Sequence, residues 1–238
     1  MIISPEINIV FVKNHKVAGT SIEVLLSQFC GEKSIITPIS DEDEEVRKKE
    51  GGVGPINYKI PERRYTLKDW LRRIIKYKEP APFKNHNKYS KVKKYYPDYY
   101  KSFFSFCVER NPWDKAVSMY FWELYYKELS REDLGLKKFL MSERAEIISD
   151  WERYADGDTV MVDSVLKFEE LEKGMKEVAE ETGVREFRKE NLPRCKASYR
   201  KSEKPYWKIM DPECKERVEE ICKKEVNEFG YKFGGGER

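Results

Sequence analysis

The chain has 238 residues, with 46 Lys and Arg against 43 Asp and Glu and a formal net charge of +3. That length suits a single domain with a full core, and so small an excess argues against a global polyelectrolyte binder, leaving only local basic patches. The five cysteines, Cys30, Cys107, Cys195, Cys214 and Cys222, form no C-x-x-C pair, which speaks against a zinc site and for a reducing compartment.

No apolar run is long enough to span a bilayer and no signal peptide precedes the first predicted strand, so the expectation is a cytoplasmic protein. Residues 7–12 read INIVFV, a short β-branched run that predicts a buried strand of a parallel sheet. A break covers residues 13–19. Ile22, Leu25, Leu26 and Phe29 then recur at helical spacing, with Thr20 and Ser21 opening the helix. A strand, a tight loop and a helix make an anion pocket, because the first helical N–H groups lack internal partners and the helix dipole is positive there. Gly19 permits close backbone approach, Thr20 and Ser21 add hydroxyls, and Lys16 adds a full charge. The nucleoside-triphosphate pattern G-x-x-x-x-G-K-[ST] is not met: Asn14 stands at its first glycine, and Thr20 follows Gly19 directly. The alternative for this stretch is an ordinary strand–turn–helix with a hydroxyl cap.

Residues 31–60 read as a variable surface connection. Their charge run, DEDEEVRKKE at 41–50, is expected to be a solvated face with a turn or two of helix. Leu67, Trp70, Leu71, Ile74 and Ile75 predict a helix capped by Thr66 and stopped by residues 79–82, EPAP. His86, one of two histidines, opens a stretch with six lysines between residues 84 and 101; a helix over 87–96 is expected, its lysines facing a cleft. On its own, His86 could as well be a half-exposed surface histidine.

Residues 103–109, FFSFCVE, predict a second buried strand. Arg110 follows it, Asn111 suits an N-cap, Pro112 the first helical position and Asp114 the first turn. Arg110 thus sits at the carboxyl end of a strand, where open α/β sheets bind ligands, and Ser118 lies one turn into the helix. The competing role for Arg110 is an ion pair with Asp114. Further predicted elements are a helix over 135–154, a strand over 160–168, a helix over 169–182 closed by Gly183, a basic loop over 185–208 and a helix over 214–228. Residues 234–238 are expected to be a disordered tail.

Two strand–turn–helix units therefore offer paired anion sites. In these residues the chain resembles the sulfotransferases that use 3′-phosphoadenosine 5′-phosphosulfate, most closely their carbohydrate branch. Lys16, Val17, Ala18, Gly19, Thr20 and Ser21 are similar to that family's 5′-phosphosulfate loop, P-K-x-A-G-T-S, with His15 in place of proline. Residues 110–118, RNPWDKAVS, resemble its 3′-phosphate motif, with Glu109 just before the arginine. Residues 168–171, FEEL, and 229–231, FGY, are similar to later family signatures. Ser198 and Arg200 are similar to its late cofactor loop, although Lys196 stands where asparagine is common.

The resemblance implies one P-loop-like, three-layer α/β domain with a central, mainly parallel sheet flanked by helices, residues 31–82 being a variable insertion. It implies a donor held by residues 16–21, Arg110, Ser118, Ser198 and Arg200, and leaving-group stabilisation by Lys16. It implies His86 as general base, with His15 structural and a carboxylate as a third option. The acceptor would be a hydroxyl, plausibly on a glycan, and no metal or nucleic acid is expected. A nucleotide kinase-like P-loop enzyme and a non-catalytic polyanion binder are the competing readings.

Overall fold

The computed structural model describes residues 1–130, 132, 134–193, 195 and 204–234. In chain order the first elements are β1 (Ile2–Ser4), β2 (Ile9–Val12), α1 (Gly19–Ser27), β3 (Ile35–Ile36), α2 (Asp41–Lys49), α3 (Leu67–Lys76), α4 (Ser90–Tyr95) and α5 (Pro97–Ser102). There follow β4 (Phe104–Glu109), α6 (Pro112–Tyr126), α7 (Leu136–Leu140), α8 (Trp151–Tyr154), β5 (Ala155–Asp156), β6 (Thr159–Val160) and β7 (Ser164–Lys167). The last helices are α9 (Leu171–Thr182), α10 (Pro212–Ile221) and α11 (Lys223–Phe229).

The central sheet has five strands in the order β3-β1-β2-β4-β7, flanked by helices. β2, β4 and β7 are parallel neighbours, whereas β1 runs antiparallel to both β2 and β3. The sheet is therefore mixed, and the reversed strand β1 comes from the N-terminal residues that the sequence reading left unassigned. Ile9, Val10, Phe11 and Val12 are all fully buried, as a strand covered on both faces requires. Each such side chain contributes about 1.5–3 kcal/mol by leaving water. On one face Ile9, Phe11 and Phe106 pack with Ile22, Leu25 and Leu26 of α1 and Met175 and Val178 of α9. On the other, Val10, Val12 and Cys107 pack with Val92, Tyr95, Trp151 and Tyr154.

Several expectations are corrected. The charge run at 41–50, expected to hold a turn or two of helix, forms the nine-residue helix α2; its acids fill the first turn and its bases the last, which suits the helix dipole. Two of its charged residues, Asp43 and Arg47, are buried. The single helix expected over 135–154 is divided where Ser142 and Ser149 are extended. Ser142 Oγ donates to the Phe139 carbonyl at 2.7 Å and Ser149 Oγ to Glu225 at 2.6 Å, alternatives to helix that serine readily takes. The strand expected from residue 160 joins the central sheet only at Ser164, because the Asp163 carboxylate accepts from Ser105 N at 2.8 Å and Oγ at 2.6 Å. The final helix starts at Pro212, capped by Asp211, and is divided at Cys222. Of the expected tail, residues 235–238 lie outside the described residues.

α3 forms as its spacing predicts, with a reciprocal Thr66–Asp69 capping box. Its apolar stripe, however, does not join a core: Leu67, Leu71, Ile74 and Ile75 are 85, 58, 69 and 69% exposed.

Candidate active site

Strand register brings the two motifs together. Val12 pairs with Cys107 in the parallel β2–β4 ladder, so the two strands run side by side in the same direction, with β4 continuing to Glu109 before its loop begins. Asn14 Nδ2 continues the link, donating to the Val108 carbonyl at 2.9 Å. From the first loop Val17 turns inward and is fully buried with Ile22 and Leu25, leaving its backbone to face the site. Lys16 and Ala18 take left-handed φ values of 57° and 58°. Alternation of that kind in a loop curves successive N–H groups toward one point.

α1 then begins at Gly19 with Ala18 as its N-cap, no side-chain cap hydrogen bond and no acid in its first turn. α3, α6 and α10 differ: the side chains of Thr66, Asn111 and Asp211 accept from their first-turn N–H groups. The N–H groups at the start of α1 thus present an uncapped positive end. Thr20 and Ser21 are buried in this turn, and Ser21 Oγ accepts from the Cys195 backbone N–H at 3.4 Å, which brings the late loop to the first. Ser198 and Arg200, expected in that late loop, lie outside the described residues.

Gly19 also has a packing role. A Cβ there would sit 2.8 Å from Lys13 Cγ. The glycine makes room for Lys13, whose ammonium pairs with the buried Glu23 at 2.5 Å and donates to Asn85 Oδ1 at 3.2 Å. Burial opposes the charge on Glu23, yet Lys13 and the Met1 amino group hold its carboxyl at about 2.

At the second motif, Arg110 Nε and Nη2 donate to Asp114 Oδ2 at 3.0 and 2.6 Å, and Nη1 donates to the Lys16 carbonyl at 3.0 Å. The ion pair with Asp114 is present, yet two of the five guanidinium hydrogens remain beyond these bonds. The Phe168 ring lies 4.4 Å from the guanidinium carbon, delivered there by β7 next to β4. Asn111 caps α6 through Oδ1, and its own N–H donates to Glu169 at 2.8 Å. Asp114, Ser118 and Trp122, spaced one turn apart, are all half-buried on one face of α6. Asp114 meets Arg110 and the Trp122 ring lies 6.0 Å from Lys16 Nζ, so Ser118 stands between the two cations' partners.

The histidines meet as well. His86 Nδ1 lies 3.0 Å from the Lys13 carbonyl, which makes that nitrogen the donor and leaves Nε2 as acceptor. Its ring stacks on His15 at 4.0 Å. Burial, and then the neighbouring His15 and Lys13, push the His86 imidazolium down to about 3, so the ring is neutral. His15, expected to be structural, has its Nδ1 2.7 Å and its backbone N 2.8 Å from the buried Asp150 carboxylate. That arrangement aims a second imidazole by a carboxylate.

Beneath the loops, Lys115 Nζ lies 2.7 Å from Glu109 and 2.6 Å from Asp150. One cation faces two carboxylates. Asp150 also receives His15 and Arg153 and keeps its charge, well below the usual range. Burial outweighs Lys115 at Glu109 and raises that carboxyl to about 7. Glu109 therefore points under the site, toward Lys115, Asn14 and Tyr154, and not at an anion. Neither Asp150 nor Arg153 belongs to a readable motif; Lys115 lies within the stretch 110–118 but with no role expected of it, and Trp122, one turn beyond Ser118, carried a signal in its spacing. Arg153 also donates to the His86 carbonyl and lines an open pocket of about 280 Å³ with Lys88, Lys93, Tyr100 and Glu152. Among the described residues no cluster could hold a metal ion, and no helix is long and apolar enough to cross a membrane.

A mixed sheet flanked by helices thus sets an uncapped helix N-terminus at one strand end and an arginine and a serine at the next, an arrangement that could hold an anion. A profile of the Sulfotransferase family matches residues 1–232, and the chain belongs to that family. The protein is thus an enzyme of sulfate transfer to a hydroxyl acceptor. An uncharacterized protein of Archaeoglobus fulgidus is 34% identical over 85 residues, 34% of this chain and 68% of that protein. No solved structure matches.

Proposed function

We propose that the protein moves a sulfuryl group from 3′-phosphoadenosine 5′-phosphosulfate to a hydroxyl of a carbohydrate, on a P-loop-like, three-layer, single-domain scaffold. The single observation that carries this reading is the uncapped start of α1, bounded by Lys16, with Arg110 joined to the same loop through the Lys16 carbonyl. The donor has two anionic ends, and the protein offers two cationic strand ends side by side. The 5′-phosphosulfate fits the N–H groups of residues 17–21 and the Thr20 and Ser21 hydroxyls. The 3′-phosphate fits the remaining Arg110 hydrogens and Ser118.

The donor supplies an activated sulfuryl group. The chain's residues hold and discharge it. As the sulfur–oxygen bond to the nucleotide breaks, charge gathers on the departing phosphate, where Lys16 and the loop N–H groups oppose it. His86, neutral and with Nε2 available, takes the acceptor's proton, and the donor's negative charge raises its basicity on binding. His15, aimed by Asp150, is the second candidate for that step. The pocket of Lys88, Tyr100, Glu152 and Arg153 beside His86 offers the mixed polar and aromatic lining that suits a sugar.

The deciding experiment is a calorimetric titration with 3′,5′-adenosine bisphosphate and with AMP. Preference for the bisphosphate supports the donor assignment; equal binding counts against it. An acceptor screen with labelled donor then identifies the hydroxyl.

A further inference from the structure

We infer that α3 docks the enzyme on an anionic lipid surface, lying in the headgroup region without crossing it. The inference does not rest on the donor or acceptor proposed above. Leu67, Leu71, Ile74 and Ile75 make one stripe at 3.6-residue spacing, and all four face water, as does Tyr77, 92% exposed at the helix end. Lys68, Arg72 and Lys76, one turn apart, form a parallel exposed row beside it. The acid of the helix, Asp69, is turned under and buried against Lys94 and the Tyr95 hydroxyl. The helix therefore presents apolar and cationic rows outward and keeps its anion inside, the division that suits an interfacial helix.

The surroundings reinforce the sign. Residues 59–101 carry fourteen Lys or Arg against four Asp or Glu, in a chain whose net charge is only +3. The rest of the protein is accordingly net acidic, so attraction to anionic lipid acts on this segment and orients the molecule. At ten residues the helix is too short to span a bilayer. A second copy fits less well. The helix is roughly 15 Å long, so its face is small beside the about 800 Å² per partner of a stable interface. A two-fold contact would also set the Lys68, Arg72 and Lys76 rows against each other.

The test is cosedimentation of the full chain with phosphatidylcholine vesicles, with and without phosphatidylglycerol. The variants are Leu71→Glu/Ile74→Glu and Lys68→Glu/Arg72→Glu/Lys76→Glu. All five positions are exposed, and circular dichroism melts verify the fold. The wild type should sediment with the anionic vesicles only, and each variant should bind them at least ten-fold more weakly. Absence of vesicle binding, equal binding to neutral vesicles, or binding unchanged in both variants overturns the inference. So does a dimer by light scattering that Leu71→Glu/Ile74→Glu converts to monomer without any vesicle binding, which would assign the face to a second copy.

Discussion

The Arg110 guanidinium donates to the backbone carbonyl of Lys16 at 3.0 Å, across 94 positions of sequence. Neither residue's place is set by its own loop alone. The neighbouring parallel strands β2 and β4 deliver both, and the bond ties their two loops together.

Arg110→Ala should weaken 3′,5′-adenosine bisphosphate by roughly ten- to a hundred-fold, the worth of about 1.5–3 kcal/mol for hydrogen bonds to a charged group. AMP binding should change far less. Arg110→Lys should recover only part of the loss, because one ammonium cannot reach Asp114, the Lys16 carbonyl and a phosphate together. Titration calorimetry reads all three.

His86→Ala should lower kcat by about 10²–10⁴-fold with little change in bisphosphate affinity. His15→Ala run beside it decides between the two imidazoles; a larger loss there would give the base role to His15. His86 also shapes acid stability. Its folded value, about 3, lies below the ordinary 6.5, so between those values the unfolded chain binds the proton first. Stability should therefore fall as pH drops from 6.5 toward 3, and His86→Asn should flatten that part of the curve in denaturant titrations.

Gly19→Ala should cost stability as well as nucleotide binding. The new methyl would press on Lys13 Cγ and loosen the Lys13–Glu23 pair, at a cost on the order of 1–3 kcal/mol. Thermal melts with and without the bisphosphate separate the two effects.

Glu109→Gln should be close to neutral near pH 4 and stabilising at pH 8. The native carboxyl, raised to about 7 by burial, holds its proton below that pH and is an unwelcome anion above it. Its folded value exceeds the ordinary 4.5, so its contribution is full below 4.5 and declines as pH rises from there to 7. Lys115→Met is the contrast: it strands the Asp150 charge in the interior and should cost about 3–5 kcal/mol. Urea midpoints at both pH values test the pair.

Much of the site was legible because strand ends and caps leave local marks. Arg110, Asn111 and Pro112 spelled out a strand-to-helix junction, and the junction is there. Residues 16–21 announced a loop before a helix. The packing role of Gly19 was not legible, since Lys13 lies against it only in three dimensions. Asp150 lies 135 positions from His15, and no periodicity reports so distant a pair. The serine interruptions at 142 and 149 were missed because apolar spacing outweighed hydroxyls whose acceptors are set by tertiary packing. β1 was passed over because its three residues are too few to show a period. For α3 the spacing gave the helix but not the direction of its apolar face, which depends on what the rest of the chain leaves uncovered.

The Asn111 side chain donates to the Lys232 carbonyl and the Tyr206 hydroxyl, each at 3.3 Å. On the ribosome, where the earlier segments collapse first, the residue that caps α6 waits for partners made 95 and 121 positions later. In a nascent chain the start of α6 is therefore fully tied down only after residue 232 has been made.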